Sequence, residues 1–166
     1  MGNISYHVEN HVATLTLQSP PANALSTSLL EALSAKLDDI EKDGTVKAVL
    51  LKGEGKFFSA GADIKEFTSL QNESDYTSLS QKGQELFNRV ENFHVPIIAA
   101  IHGAALGGGL ELAMACHIRY AAKDAKFGLP ELNLGIIPGF AGTQRLPAYV
   151  GASKAYEMML SSKPIS

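Results

Sequence analysis

An α/β layered fold is what this sequence predicts, on three observations. Strand-like runs and amphipathic helical runs interleave along the whole chain instead of segregating into halves. The helical runs carry their apolar residues on one side, as core-facing helices do. The most continuous apolar stretch, Val95 to Cys116, is interrupted by glycines and holds a single carboxylate, the pattern of a buried strand, turn and helix.

The elements follow in order. Ile4 to Glu9 and Val12 to Leu17 read as two strands joined by a turn at Asn10-His11, the second alternating through Thr14, Leu15, Thr16 and Leu17. Ser19-Pro20-Pro21-Ala22-Asn23 is a loop, because two prolines fix φ and remove donors. A helix is expected over 27–42, with Leu29, Leu30, Leu33, Leu37 and Ile40 on one face, Ser28 and Glu31 at capping-box spacing, and Gly44 as its stop. Val46 to Lys52 is mostly apolar and reads as a central strand.

Phe57 to Asp63 is a tight loop of small residues leading into a short helix. Gln71 to Tyr76 is polar and is expected to be a mobile connection before a second amphipathic helix at 78–93. Pro96 to Ile101 reads as a buried strand and 109–116 as an apolar helix opened by Gly107-Gly108-Gly109. Strands are expected at Ile118–Ala122 and Ala125–Phe127, a loop and helix start at Gly135–Gly142, and a last helix from Ala152 to Leu160.

At 166 residues the chain suits one domain, domains being roughly 100–200 residues. It is 45% apolar and 19% charged, which is ordinary for a globular protein and argues against disorder. A net charge of −3 offers no basic field for nucleic acid. Cys116 is the only cysteine, so no internal disulfide forms, and its apolar setting makes it a structural thiol. A membrane span over Val95–Cys116 is disfavoured by Pro96, His102 and above all Glu111. The start, Met1-Gly2-Asn3-Ile4-Ser5-Tyr6, lacks the basic and apolar regions of a signal peptide and lacks Ser or Thr at position 6 for myristoylation, so a cytoplasmic location is expected.

Several familiar motifs fail. Gly53-Glu54-Gly55 and Gly107-Gly108-Gly109 lack the third glycine of a dinucleotide fingerprint, and no P-loop occurs. Phe57 stands where a Gly-x-Ser-x-Gly elbow around Ser59 needs glycine. His7 and His11 have metal spacing only on a helix, and they fall on strands around a turn.

What remains is chemical. Gly107, Gly108 and Gly109 precede a helix, where unpaired N–H groups favour developing negative charge. Glu111, the lone charge of that apolar run, costs several kcal/mol to bury unless it is satisfied. It is therefore either functional or paired with an arginine such as Arg119 or Arg145. Glu131, after Pro130 in an apolar loop, is either a second functional carboxylate or simple helix-terminus electrostatics. Two carboxylates in apolar surroundings suit general acid–base work. Ser59-Ala60-Gly61-Ala62-Asp63 exposes backbone N–H groups, and Ala62 is a candidate second oxyanion donor.

These blocks resemble one known family. Phe58-Ser59-Ala60-Gly61-Ala62-Asp63-Ile64-Lys65-Glu66, His102-Gly103 through Glu111-Leu112-Ala113, Phe127-Gly128-x-Pro130-Glu131, and Gly135 to Gly139 with Gly142 to Leu146 resemble successive segments of the enoyl-CoA hydratase (crotonase) family. Asn23-Ala24-Leu25-Ser26 is similar to its N-terminal signature, so the resemblance covers essentially the whole chain.

The resemblance implies a crotonase-like spiral of β-β-α units acting on acyl-CoA thioesters, with coenzyme A as part of the substrate and no metal or other cofactor. It implies that the N–H groups of Ala62 and Gly108 hold the thioester oxygen. Glu111 would help activate water for attack at Cβ, and Glu131 would supply the proton to Cα. It places Ala60, Gly61, Asp63, Ile64, Lys65, Gly107, Pro138 and Gly139 in the substrate and coenzyme A site, with the 60–65 loop near the adenine end and Lys65 close to it. Two acids favour hydration of a 2-trans-enoyl-CoA to a 3-hydroxyacyl-CoA; isomerisation, hydration of a branched acyl-CoA, and acyl-CoA binding without turnover stay open. Phe140 and Ala141 stand where many relatives carry smaller residues, which bears on acyl-chain preference. Members of the family usually continue into helices that cover the site and join subunits into trimers, so 1–166 is expected to be a crotonase-like core cut before them, from a homo-oligomeric protein.

Overall fold

A computed structural model describes residues 2–69 and 72–166, without the side chains of residues 65, 67, 69 and 73. Strands β1 (Asn3–Glu9) and β2 (Val12–Gln18) form an antiparallel hairpin, and β2 continues into a sheet with β3 (Ala48–Gly53), β4 (Ile97–Ile101) and β6 (Ile118–Ala121), all parallel, in the order β1-β2-β3-β4-β6. A small parallel sheet pairs β5 (Ala104–Leu106) with β7 (Lys126–Gly128). The central position expected for Val46–Lys52 is met, since β3 is the middle strand. It buries Val49, Leu51 and Gly53 on one face, and β4 likewise buries Ile97, Ala99 and Ile101.

Helix α1 (Thr27–Lys42) buries the five predicted residues Leu29, Leu30, Leu33, Leu37 and Ile40. Its ends differ from expectation. Ser26, not Ser28, is the N-cap, with Oγ accepting the Leu29 N–H at 3.3 Å. The C-cap is Asp43, whose Oδ1 accepts the Thr45 N–H and hydroxyl and so closes a turn before Gly44 contributes anything.

The polar segment expected to be a mobile connection is largely helical. After α2 (Ile64–Ser69), α3 runs over Glu73–Glu91, and Asn72 Oδ1 accepts the Asp75 N–H at 3.1 Å to cap it. Gln71 lies outside the described residues. Leu86, Phe87 and Val90 give α3 its buried face.

The apolar stretch 95–116 divides as β4, β5 and α4 (Gly108–Ala115), and no described helix is long and apolar enough to cross a membrane. The strand β5 was not expected; two turns that need glycine isolate it. Gly103 (φ 63) passes so near Lys56 that a Cβ there would lie 1.8 Å from its carbonyl oxygen, and Gly107 (φ 51) ends β5. A 3-10 turn, Glu131–Leu134, leads to α5 (Gly142–Val150) and α6 (Ala152–Ser161). The sequence showed only a start for α5, because Pro147 lies inside it and interrupts the expected run.

Candidate active site

Every residue of α4 is buried, so its two ends must be satisfied from within the protein. The carboxyl end is covered by Arg119, whose Nη1 donates to the carbonyls of Ala113, Met114 and Cys116, and by the Tyr149 hydroxyl, which donates to the Met114 carbonyl at 2.9 Å. At the amino end, Glu111 N donates to the Gly107 carbonyl at 3.0 Å. Gly108 N donates to no protein acceptor among the described residues.

The loop 59–62 is held against this end. Leu106 N donates to the Ser59 carbonyl at 3.0 Å, Leu25 N to the Gly61 carbonyl at 2.8 Å, and Gly61 N to Ser59 Oγ at 3.2 Å. The Ala62 amide, like that of Gly108, has no protein acceptor among the described residues. The two amides are neighbours. A Cβ built on Gly108 would stand 3.5 Å from the Ala62 nitrogen, and one built on Gly61 (φ 105) would stand 3.4 Å from the Gly108 nitrogen. Gly109 is equally tight, since a Cβ there would meet the Ser59 carbonyl at 2.4 Å. The glycine run is thus a close approach of two backbones that leaves one N–H from each side unused.

Glu111 is 1% exposed and neither arginine neutralises it. Its Oε1 accepts the Phe140 N–H at 2.9 Å and the Gly142 N–H at 2.7 Å. Arg119 is spent on the helix end, and Arg145 donates to the Phe140 carbonyl (2.9 Å), Asn88 Oδ1 (2.7 Å) and Glu91 Oε2 (3.0 Å). The ion-pair alternative for Glu111 therefore fails. Two backbone amides hold the carboxylate, and Arg145 acts on it only at longer range.

Glu131 begins the 3-10 turn, and its Oε1 lies 2.9 Å from where a Cβ of Gly107 would be. Its Oε2 is buried without a hydrogen-bond partner among the described residues. Burial pushes the Glu131 carboxyl up to about 6. Burial, then repulsion from Glu131, pushes Glu111 up to about 8, against the two amides that favour its charge. Their mutual repulsion belongs to the pair, which titrates above the ordinary carboxylate range.

The other predicted site residues divide. Gly61 and Gly107 lie against each other at the amide pair, a Cβ on Gly107 falling 3.7 Å from the Gly61 α-carbon. Pro138 is buried, and Gly139 sits on α3, its carbonyl accepting Gln84 Nε2 at 2.8 Å. Ala60 and Ile64 are exposed at the rim. Asp63 has a structural task, Oδ1 accepting the Glu66 N–H at 3.3 Å at the start of α2. Lys65 lies in α2, with its side chain outside the described set.

Sequence reasoning missed three supports. Asn23 (φ 52) is buried and ties the loops together, with Oδ1 accepting Ser19 N–H and Nδ2 donating to the Glu54 and Phe57 carbonyls. Gln84 and Arg145 anchor the 139–142 loop. Asn23 was visible only as part of a motif and Arg145 only as a possible partner of Glu111, and nothing in the sequence marked Gln84. Cys116 is buried as expected, its thiol pushed up to about 12 by burial. Among the described residues no cluster of His, Cys, Asp and Glu could hold a metal ion.

Two neighbouring backbone amides without protein acceptors among the described residues stand with the buried Glu111 and the partly buried Glu131 in an α/β protein of crotonase-like fold. The chain belongs to the enoyl-CoA hydratase/isomerase family, whose profile matches residues 7–166. It is 65% identical over 166 residues to a Bacillus subtilis (strain 168) protein described as a probable enoyl-CoA hydratase, covering all of this chain and 64% of that protein. It is 47% identical over 156 residues to the Arabidopsis thaliana peroxisomal fatty acid beta-oxidation multifunctional protein AIM1, covering 93% of this chain and 22% of that one.

Solved structures agree in fold. The enoyl-CoA hydratase from Bacillus anthracis matches with a TM-score of 0.92 and 42% identity, over 99% of this chain and 64% of that one. Pseudomonas aeruginosa DspI matches with a TM-score of 0.94 and 35% identity, over 99% of this chain and 67% of that one. The chain thus spans less than two thirds of the length of the curated relatives named here.

Proposed function

We propose that this chain carries the active-site part of an enoyl-CoA hydratase, which adds water across a 2-trans-enoyl-CoA to give a 3-hydroxyacyl-CoA in fatty-acid or related acyl-CoA metabolism. The observation that carries this reading is the buried Glu111, with Glu131 and its unpartnered Oε2, beside the free amides of Ala62 and Gly108.

The amide N–H groups donate to the thioester oxygen and stabilise the enolate that forms when a hydroxide equivalent adds to Cβ. Losing one such donor typically costs about 10²–10³ in rate. The pair holds one proton between its two carboxyls, both raised above the ordinary carboxylate value by burial. A water bridging the two carboxyls passes that proton to Glu131. Glu111, now ionised, takes a proton from water as its oxygen bonds to Cβ. Glu131 then gives its proton to Cα, the enolate collapses, and the pair returns to its starting state. Ala60, Gly61, Asp63, Ile64 and Lys65 form the coenzyme A side of the site in this scheme, and Gly107, Pro138 and Gly139 the acyl side. The substrate is an acyl-CoA thioester and no further cofactor takes part. In this reading the whole protein is a cytoplasmic, trimer-based homo-oligomer with residues 1–166 as its crotonase-like core.

The test is loss of the ultraviolet absorbance of a conjugated short-chain enoyl-CoA. Wild type should consume it, and Glu111→Gln and Glu131→Gln should each lose about 10²–10⁴ of the rate. Movement of the double bond without uptake of water, or an unchanged rate in both variants, would overturn hydration by this pair.

A further inference from the structure

Phe140 touches both halves of the site. Its N–H donates to Glu111 Oε1 at 2.9 Å, and its carbonyl accepts Arg145 Nη1 at 2.9 Å. Its side chain, 5% exposed, stands between α3 and the first turn of α4. On the α3 side it meets Phe87 edge-on, with centroids 5.3 Å apart, and a Cβ on Gly83 would lie 2.3 Å from the ring. On the α4 side a Cβ on Gly108 would lie 3.1 Å from the opposite ring edge. The ring therefore fills the gap between two glycines, one of which supplies a free amide. The neighbouring backbone is clamped as well, through Gln84 to the Gly139 carbonyl at 2.8 Å.

We propose that Phe140 is a positioning residue for the hydration reaction: its ring sets where the Gly108 amide stands while its own amide sets where Glu111 stands. The proposal rests on the functional reading above. A ring wedged between Gly83 and Gly108 cannot move without moving one of them, because close-packed interiors transmit displacement. The residue that carries the ring also carries an N–H that Glu111 accepts. Oxyanion donor and carboxylate are therefore held at one mutual distance by a single residue, through its ring and its backbone amide. A displacement of about 1 Å in such a geometry can cost about 10²-fold in rate.

A size-swap cycle tests this in the 166-residue chain. Phe140→Leu loosens the wedge, Gly83→Ala drives the ring toward Gly108, and the double variant pairs the added methyl with the smaller side chain. Two readouts are taken: kcat and KM on a short enoyl-CoA, and the absorption band of a bound aryl-conjugated acyl-CoA, which moves to the red as its carbonyl is polarised. Each single variant should lower kcat by about 10–100-fold with KM little changed, and should shrink the red shift. The double variant should recover most of both. If the folded single variants keep kcat and band position, or if the double variant is no better than the worse single one, Phe140 merely fills space and the proposal falls. Glu111→Gln keeps the two readings separate: it should lower turnover by about 10²–10⁴ and leave the band shift. If Glu111→Gln keeps the wild-type rate, the hydration scheme fails, while the band shifts of the Phe140 and Gly83 variants still decide whether Phe140 places the Gly108 amide.

Discussion

Glu111 and Gly142 are fitted so closely that a Cβ on the glycine would stand 2.7 Å from the carboxylate Oε1 and 2.9 Å from Cγ. The same glycine donates its N–H to that oxygen. Gly142→Ala should therefore displace the carboxylate and its donor together. Turnover is expected to fall by about 10²-fold and stability by roughly 1–3 kcal/mol. Enoyl-CoA kinetics with thermal unfolding of the same sample check both, and wild-type kinetics in the variant would rule the contact out as a constraint.

Glu111 also makes stability depend on pH. Its folded pKa of about 8 lies above the ordinary 4.5, so the neutral form is the one the fold prefers. Its favourable share is present below about 4.5 and is lost as pH rises through about 8. Glu111→Gln retains an oxygen for the Phe140 and Gly142 amides without the buried charge. The variant should be more stable than wild type at pH 8 by on the order of a few kcal/mol, and nearly equal to it at pH 4. Denaturant midpoints at the two pH values give the comparison; a gap that does not widen with pH would contradict the assignment.

Ala141 is the N-cap of α5 and sits at φ 70, ψ 22, in the left-handed region. A side chain there costs roughly 1–2 kcal/mol, part of which glycine would return as unfolded-chain entropy. Ala141→Gly should raise stability by about 0.5–1 kcal/mol, read as an increase in Tm, with Glu111 still held by its flanking amides.

Asn23→Ala removes an acceptor for Ser19 N–H and two donors to carbonyls from a residue 2% exposed. A loss of roughly 3 kcal/mol is expected from the polar groups left unpaired. The Ser59 hydroxyl donates to the Asn23 backbone carbonyl at 2.8 Å, so a shift of that backbone once its side-chain ties are lost should loosen the 59–62 loop too. Faster amide exchange at Gly61 and Ala62 would report this directly.

How much of this was readable beforehand depends on the range of the interaction. β1, β2 and α1 announced themselves because their burial follows period 2 or 3.6 within a few residues. Glu111 was conspicuous as a lone charge in an apolar run, and the structure indeed buries it beside Glu131. Its partner was not legible. Backbone amides carry no sequence signature, so arginines were the visible candidates, and the donors turned out to be Phe140 and Gly142. Gln84 and Gly139 meet across 55 residues of sequence, a distance over which periodicity says nothing. The start of α3 was missed because Ser74, Asp75 and Tyr76 look like a polar loop until Asn72 is recognised as its cap.

The two free amides also differ in what anchors them. Gly108 opens a helix that is buried along its whole length, whereas the strip bearing Ala62 is joined to its surroundings through isolated bridges, Leu25 to Ala62 and Ser59 to Ala105. Short, singly bridged segments open at lower free energy than core helices. The molecule should consequently fall silent before it melts: under mild denaturant, turnover would vanish while the central strands still resist hydrogen exchange.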